Sequence, residues 1–167
     1  LLSALKDNGE FFRRRQQAGD EVWTYVCCGP TGQYANRFID QKTVLPRLIF
    51  WIMAKWGATG YLHWGYNWSA VPVAEIDTTH FLPAQGPVQS GDACVVYPGP
   101  HGPHDSIRWE QQREGVQDYE LLRLLGARDG GRARDICSRL VQDIDRYDTS
   151  AAAFRAARRE LLEALSG

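Results

Sequence analysis

The apolar positions of this chain change period several times, and each change predicts an element. Between Glu21 and Cys28 the run Val22-Trp-Thr-Tyr-Val26 is unbroken β-forming sequence, so it predicts a strand. Both of its faces are apolar, as in a parallel strand covered on two sides. Between Gln41 and Trp56, Leu45, Leu48, Ile49, Ile52, Met53 and Trp56 recur at helical spacing and predict an amphipathic helix. Asp40 is placed to cap its start and Gly57 its end. Pro46 either kinks this helix or marks its true first turn. From Thr59 to Trp68 the chain returns to strand chemistry with Tyr61, Leu62, His63 and Trp64. Gly65 then loosens the backbone before Tyr66, Asn67 and Trp68. Strand, helix and strand in this order make a βαβ unit with parallel strands and a right-handed crossover.

The flanks follow the same rules. Leu1 to Gln17 reads as a short helix, a turn at Asn8-Gly9 and a second helix, with Gly19 suited to a left-handed end. Ser69 to Gln89 carries Pro72, Pro83 and Pro87 without periodicity and reads as a long loop. Asp92 to Tyr97 predicts a short strand, and Pro98 to His104 a turn-rich loop. Ser106 caps a predicted helix over Ile107 to Leu125, closed by Gly126. Its Glu110, Glu114, Asp118 and Glu120 read as a solvated face. A further helix is predicted over Arg132 to Tyr147. The last, Ala151 to Leu165, is capped by Thr149 or Ser150. The final two helices pair as a structural hairpin in this reading.

Composition narrows the picture. The chain has 167 residues, enough for one domain, with 44% hydrophobic and 23% charged residues, as in a soluble globular protein. A net charge of −1 offers no handle for nucleic acid or an anionic membrane. Arg13-Arg14-Arg15 is too narrow a basic patch for nucleic acid and fits an exposed helix face. No apolar run is long enough to span a bilayer. The sequence starts at Leu1 as if within a helix, so it reads as a piece of a longer protein and leaves location open. Cys27, Cys28, Cys94 and Cys137 show no C-x-x-C spacing, so neither a zinc nor a redox motif is expected. Adjacent Cys27 and Cys28 should point to opposite faces of a strand. Free thiols are the default, with a bridge from either to Cys94 left open. His101 and His104 lack a third ligand, so no metal is expected, and no cofactor motif occurs.

The chemistry concentrates in Trp64, Tyr66, Asn67 and Trp68. Such rings either fill a core or line a pocket. A sugar site uses flat rings against a pyranose face and a few fixed polar groups for its hydroxyls, the general make-up of a ligand pocket. Both predicted strands end on the same side of the sheet, which brings Tyr34 and Asn36 to that side and favours the pocket. Arg108, in the first turn of its helix, either reaches a ligand or bonds the carbonyls of the preceding loop. A glycosidase usually needs two carboxylates at set separation. Asp40, Glu75 and Asp77 do not form a convincing pair, so the catalytic residues are unassigned.

Four stretches together carry a family resemblance. They are Gly19-Asp-Glu-Val-Trp-Thr-Tyr-Val-Cys-Cys-Gly-Pro30, Tyr34-Ala-Asn-Arg-Phe-Ile-Asp40, Gly60-Tyr-Leu-His-Trp-Gly-Tyr-Asn-Trp68, and Gly91-Asp-Ala-Cys-Val-Val-Tyr-Pro-Gly99 with Ser106-Ile-Arg108 and Gly115-Val-Gln-Asp-Tyr-Glu120. They resemble the catalytic domain of glycoside hydrolase family 123, also known as domain of unknown function 4091, found in bacterial proteins. Asn67 and Trp68 stand one residue closer together than in the family pattern. The resemblance implies an α/β fold: the C-terminal part of a (β/α)8 TIM-type barrel, with its last two parallel strands, followed by C-terminal helices. Residues 1–126 would be barrel and residues 127–167 a helical hairpin packed on it. It further implies retaining hydrolysis of β-linked N-acetylgalactosaminides, in which the substrate's own acetamido oxygen attacks the anomeric carbon. The family's Asp-Glu pair lies on an earlier strand, outside this chain. What carries over is the pocket wall, Tyr34, Asn36, Trp64, Asn67 and Trp68, with Tyr66 and Arg108 as further candidates. The implied partners are a carbohydrate or glycoconjugate substrate and the upstream part of the same barrel, and the resemblance favours an extracellular or periplasmic location. The competing readings are a non-catalytic carbohydrate-binding or structural domain, and a helical interaction domain centred on residues 106–167.

Overall fold

The computed structural model describes residues 1–68 and 90–167. The long loop expected over residues 69–89, with Glu75 and Asp77, lies outside the described residues.

A parallel pair of short strands and a buried helix organise the molecule. Strand β1 is Trp23–Tyr25 and strand β2 is Gly60–Leu62, paired in parallel with Trp23 opposite Gly60 and Tyr25 opposite Leu62. Both are shorter than the β-forming runs that contain them. Gly60 allows this pairing, because a side chain there would run into the Trp23 ring. Helix α3, Leu45–Trp56, connects the two strands. It starts later than Asp40, with Val44 at its cap position and Pro46 in the first turn, where a missing N–H costs nothing. Asp40 is therefore not its cap. Gly57 ends it in a left-handed conformation (φ 68°).

Helix α3 is buried on more than the expected stripe, since Phe50 and Trp51 are covered as well. The cause is its central position. One side packs on the sheet, where Phe50 meets Tyr61 with ring centroids 5.4 Å apart. The other packs on α4 (Ile107–Arg128), α5 (Gly130–Leu140) and α6 (Ala151–Ser166). Gly115 lets α4 approach closely, because a Cβ there would strike the Phe50 ring and lie 2.9 Å from the Arg47 carbonyl. A single hydrophobic cluster runs from Leu2 and Leu5 through α3 to Ile136, Leu140 and Leu161. The amino-terminal helices are α1, Leu2–Asp7, and α2, Gly9–Gln17, broken as predicted at Asn8-Gly9.

Three expectations are corrected by packing. The helix predicted over Arg132 to Tyr147 ends at Leu140, and the chain continues as an antiparallel pair, β3 (Val141–Asp143) and β4 (Arg146–Tyr147). Val141 and Ile144 stay buried in this hairpin, so the apolar signal was real but its period was not helical. The strand expected over Asp92 to Tyr97 is reduced to two isolated antiparallel bridges, Asn67 with Cys94 and Tyr97 with His104. Finally, Asp118 is not on a solvated face. Its carboxylate is fully buried and accepts from Arg47 Nε (2.6 Å), Trp51 Nε1 (2.8 Å) and Arg158 (2.7 Å), tying α3, α4 and α6 together. Helix α4 keeps its predicted start, with the Ser106 side chain accepting from the Trp109 N–H, but runs past Gly126 to Arg128. Ser150 caps α6 in the same way.

The two faces of the β1–β2 sheet differ sharply. Val22, Thr24 and Val26 point into the helical layer and are buried, whereas Trp23 is 61% and Leu62 49% exposed on the other face.

Candidate functional site

Because β1 and β2 are parallel, the loops that follow them leave the same edge of the sheet. Arg37, in the loop after β1, is buried, and its guanidinium donates to the carbonyls of Gly65 and Asp92 (2.6 Å to the latter). Burial lowers its pKa to about 10, so it remains charged at neutral pH. Arg108, from the first turn of α4, donates to the carbonyls of Arg37 (2.7 Å), Gly91 (2.7 Å) and Cys94 (2.6 Å) and to the Tyr97 hydroxyl (2.6 Å). Two guanidinium groups thus hold three irregular segments that have few ladder hydrogen bonds of their own, which meets the need to satisfy buried carbonyls.

Asp92 lies at the centre of this assembly and is fully buried. One carboxylate oxygen accepts from the Trp64 indole N–H at 2.7 Å. The other is 2.9 Å from His63 Nε2. The backbone N–H of Gly65 donates to His63 Nδ1 at 3.0 Å, so the neutral ring carries its proton on Nε2 and donates it to Asp92. Burial pushes the His63 pKa down, and its bond to Asp92 opposes that shift. Gly65 must be glycine here, since a Cβ would lie 2.6 Å from the Ala93 carbonyl oxygen.

From this locked base the aromatic residues project. Trp64, Tyr66 and Trp68 are 45%, 48% and 52% exposed, and Asn67 is exposed between them. Their backbone is held from behind: Val95 N–H donates to the Tyr66 carbonyl (2.8 Å) and Trp68 N–H to that of Ala93 (3.2 Å). The rings divide into two groups. Trp64 and Trp68 meet edge to face at 5.7 Å, while Tyr66 turns towards Trp109 of α4 at 5.2 Å. Trp64 also stacks on His63 at 6.1 Å.

The other expected wall residues lie elsewhere or are occupied. Tyr34 is partly buried and packs against the hydrophobic core. Asn36 is fully buried; its amide N–H donates to the carbonyls of Cys27 (2.9 Å) and Pro30 (3.0 Å), and its oxygen accepts from Arg37 N–H. For Arg108 the sequence left two roles open, and the structure places its donors on loop carbonyls. His63, Arg37 and Asp92 were absent from the sequence candidates. The available signal was one imidazole in an otherwise apolar strand, followed by a carboxylate at the edge of another apolar run. His101 and His104 are exposed, and no cluster of three metal-ligating side chains occurs among the described residues. A separate cavity of about 430 Å³ between α3, α4 and α5, lined by Tyr119, Leu122, Ala133 and Cys137, shares no residue with this group.

Comparison with known families decides the assignment. The family model for the glycoside hydrolase 123 catalytic domain matches residues 3–125. The chain belongs to this family. The glycoside hydrolase 123 match takes in the locked base, the aromatic projection and most of α4, and it stops before α5. Among solved structures, a family 123 glycoside hydrolase from Clostridium perfringens, described for its hydrolysis of glycolipid glycans, has the same fold over 93% of this chain, with a TM-score of 0.58 and 18% identity. This chain spans 28% of that enzyme's length. No curated protein matches the sequence. No helix among the described residues is long and apolar enough to cross a membrane.

Proposed function

We propose that this chain is the C-terminal part of a glycoside hydrolase (β/α)8 barrel and supplies part of its sugar-binding wall. The carrying observation is the Trp64–Trp68 pair, half exposed at the carboxyl edge of parallel strands while the Trp64 indole is pinned to buried Asp92. Active sites of β/α barrels lie on that edge. A stacking surface held in place before the ligand arrives avoids much of the ordering cost of binding. The barrel reading also explains why one sheet face is covered by helices and the other leaves Trp23 and Leu62 exposed. In a barrel the second face is the interior, covered by the remaining strands. Residues 1–126 form the barrel portion in this reading, and residues 127–167 pack on it as a helical close.

The substrate class that fits is a β-linked N-acetylhexosaminide of the N-acetylgalactosaminide type, within a glycan or glycoconjugate. Hydrolysis proceeds with retention by substrate assistance, the acid pair coming from the upstream part of the barrel. Asp92 does not take that role, since both of its oxygens already accept hydrogen bonds. Trp64, Trp68 and Asn67 face the sugar. Tyr66 stands at the margin in this reading, and Asn36 and Arg108 hold the loops that carry the wall.

The test is hydrolysis of an aryl β-N-acetylgalactosaminide by the complete polypeptide, followed by NMR of the first-formed sugar. The expected product is the β anomer, appearing before mutarotation. An α anomer appearing first would overturn the retaining mechanism. Glycan binding without turnover would favour a non-catalytic binding domain.

A further inference from the structure

The sequence places Cys27 and Cys28 on opposite faces of a strand, but β1 ends at Tyr25 and the chain turns, with Cys27 N–H donating to the Gly29 carbonyl at 2.8 Å. The turn brings the two sulfurs together on one side, 3.8 Å apart. Both thiols are free, Cys28 is exposed and Cys27 half-buried. The remaining thiols lie apart from this pair. Cys137 is buried, its thiol pushed up to about 11 by burial and donating to the Trp51 carbonyl at 3.4 Å. Burial raises the thiol of half-buried Cys94, and the contact with Cys27 raises that of Cys28, so it is exposure and the neighbouring sulfur that set the pair apart.

We infer that Cys27 and Cys28 form a vicinal dithiol site for reversible thiol–disulfide exchange, with a small-molecule disulfide as co-reactant. The thiolate of exposed Cys28 attacks one sulfur of that disulfide and breaks its S–S bond. The first half leaves as a thiolate and takes up a proton. The Cys27 thiolate then attacks Cys28 Sγ and expels the second half. Two protein thiols are oxidised, one small disulfide is reduced to two thiols, and their protons balance.

The chain geometry makes this bond labile. Neighbouring Cα atoms are about 3.8 Å apart, whereas disulfides usually span about 4.4–6.8 Å. A strained, exposed disulfide belongs to the easily reduced, regulatory class. The peptide between the two residues starts at the Cys27 carbonyl, which Asn36 holds at 2.9 Å. Closing the ring therefore disturbs the anchor of the loop that leads to Arg37. The inference stands apart from the sugar reading, because it concerns sulfur chemistry alone.

The test is incubation of the folded protein with glutathione disulfide, blocking of remaining thiols with N-ethylmaleimide, then intact-mass and peptide analysis. The expected result is loss of both labels from the peptide holding Cys27 and Cys28, with no glutathione attached and full recovery after dithiothreitol. Cys28→Ser should stop at the Cys27–glutathione mixed disulfide or fail to react, and Cys94→Ser should behave as wild type. Full labelling of both thiols in the wild type, stable glutathione on either sulfur, or a bridge to Cys94 would each overturn the inference. The wild-type reading suffices even where a serine variant folds poorly.

Discussion

Asp118→Ala is expected to lower the unfolding free energy by about 3–5 kcal/mol, the range for removing one partner of a buried ion pair. The carboxylate is fully buried and is shared by Arg47, Arg158 and Trp51, which come from two other helices. Its loss would leave the Arg47 guanidinium and the Trp51 indole N–H without their carboxylate acceptor and Arg158 with only Glu114 and Gln117. Glu114 compensates only in part, since it lies 2.9 Å from Arg158 and 3.7 Å from Arg47. By contrast, Glu120→Ala removes an exposed pair with Arg123 on the surface of α4. Such pairs contribute roughly 0–1 kcal/mol. Urea unfolding of both variants checks the contrast. Equal small losses would show that the three helices do not depend on this carboxylate.

Asp92→Ala is expected to cost about 3 kcal/mol, because two N–H donors lose a charged acceptor in a partly buried setting. The consequence reaches beyond stability. Trp64 would lose the bond that fixes its indole, and His63 the group that orients its ring. Sugar affinity should therefore fall together with stability, whereas Asp118→Ala should leave the affinity of the folded fraction unchanged. Asp92→Asn should lie between wild type and alanine, since its oxygen still serves one donor while its amide N–H faces the other. The emission change on Asp92→Ala, compared with the same change in a Trp64→Phe background, isolates the Trp64 environment from the other five of the chain's six tryptophans. Unchanged emission and affinity in Asp92→Ala would show that the indole needs no such tether.

The elements were legible where a single period dominated. The α3 stripe, the Gly57 end and the Ser106 cap of α4 follow from local rules, and the parallel pairing of β1 with β2 follows from the strand–helix–strand order. The same rules set the start of α3 too early, at Asp40, and leave the α6 cap open between Thr149 and Ser150. The sequence misled where apolar residues served irregular backbone. Val95 and Val96 are buried, yet they lie beside bridges rather than within a strand, because the Tyr66 carbonyl, the Ser106 hydroxyl and Arg108 on the neighbouring Cys94 carbonyl meet the backbone hydrogen bonds that a ladder would have made. The same cause moved Asn36 from an expected ligand contact to a loop anchor: a buried turn consumes its amide. The exposed rings were visible as an aromatic run in the sequence. Their anchor was not, because Asp92 lies twenty-eight residues from Trp64 and only the fold brings them together. Charge spacing alone could not separate Asp118 from its solvated neighbours, since burial there is set by α3 and α6.

The most direct test of the account is the affinity of the complete polypeptide for a β-linked N-acetylgalactosaminide, measured by titration calorimetry for wild type and Trp64→Ala. Loss of the stacking ring should weaken binding by about 1–3 kcal/mol, the scale for burying a large apolar side chain. The variant should also lose some stability, because Trp64 Nε1 donates to buried Asp92, so both proteins are titrated well below the melting temperature of the variant. Wild-type affinity in a stably folded Trp64→Ala protein would contradict the account.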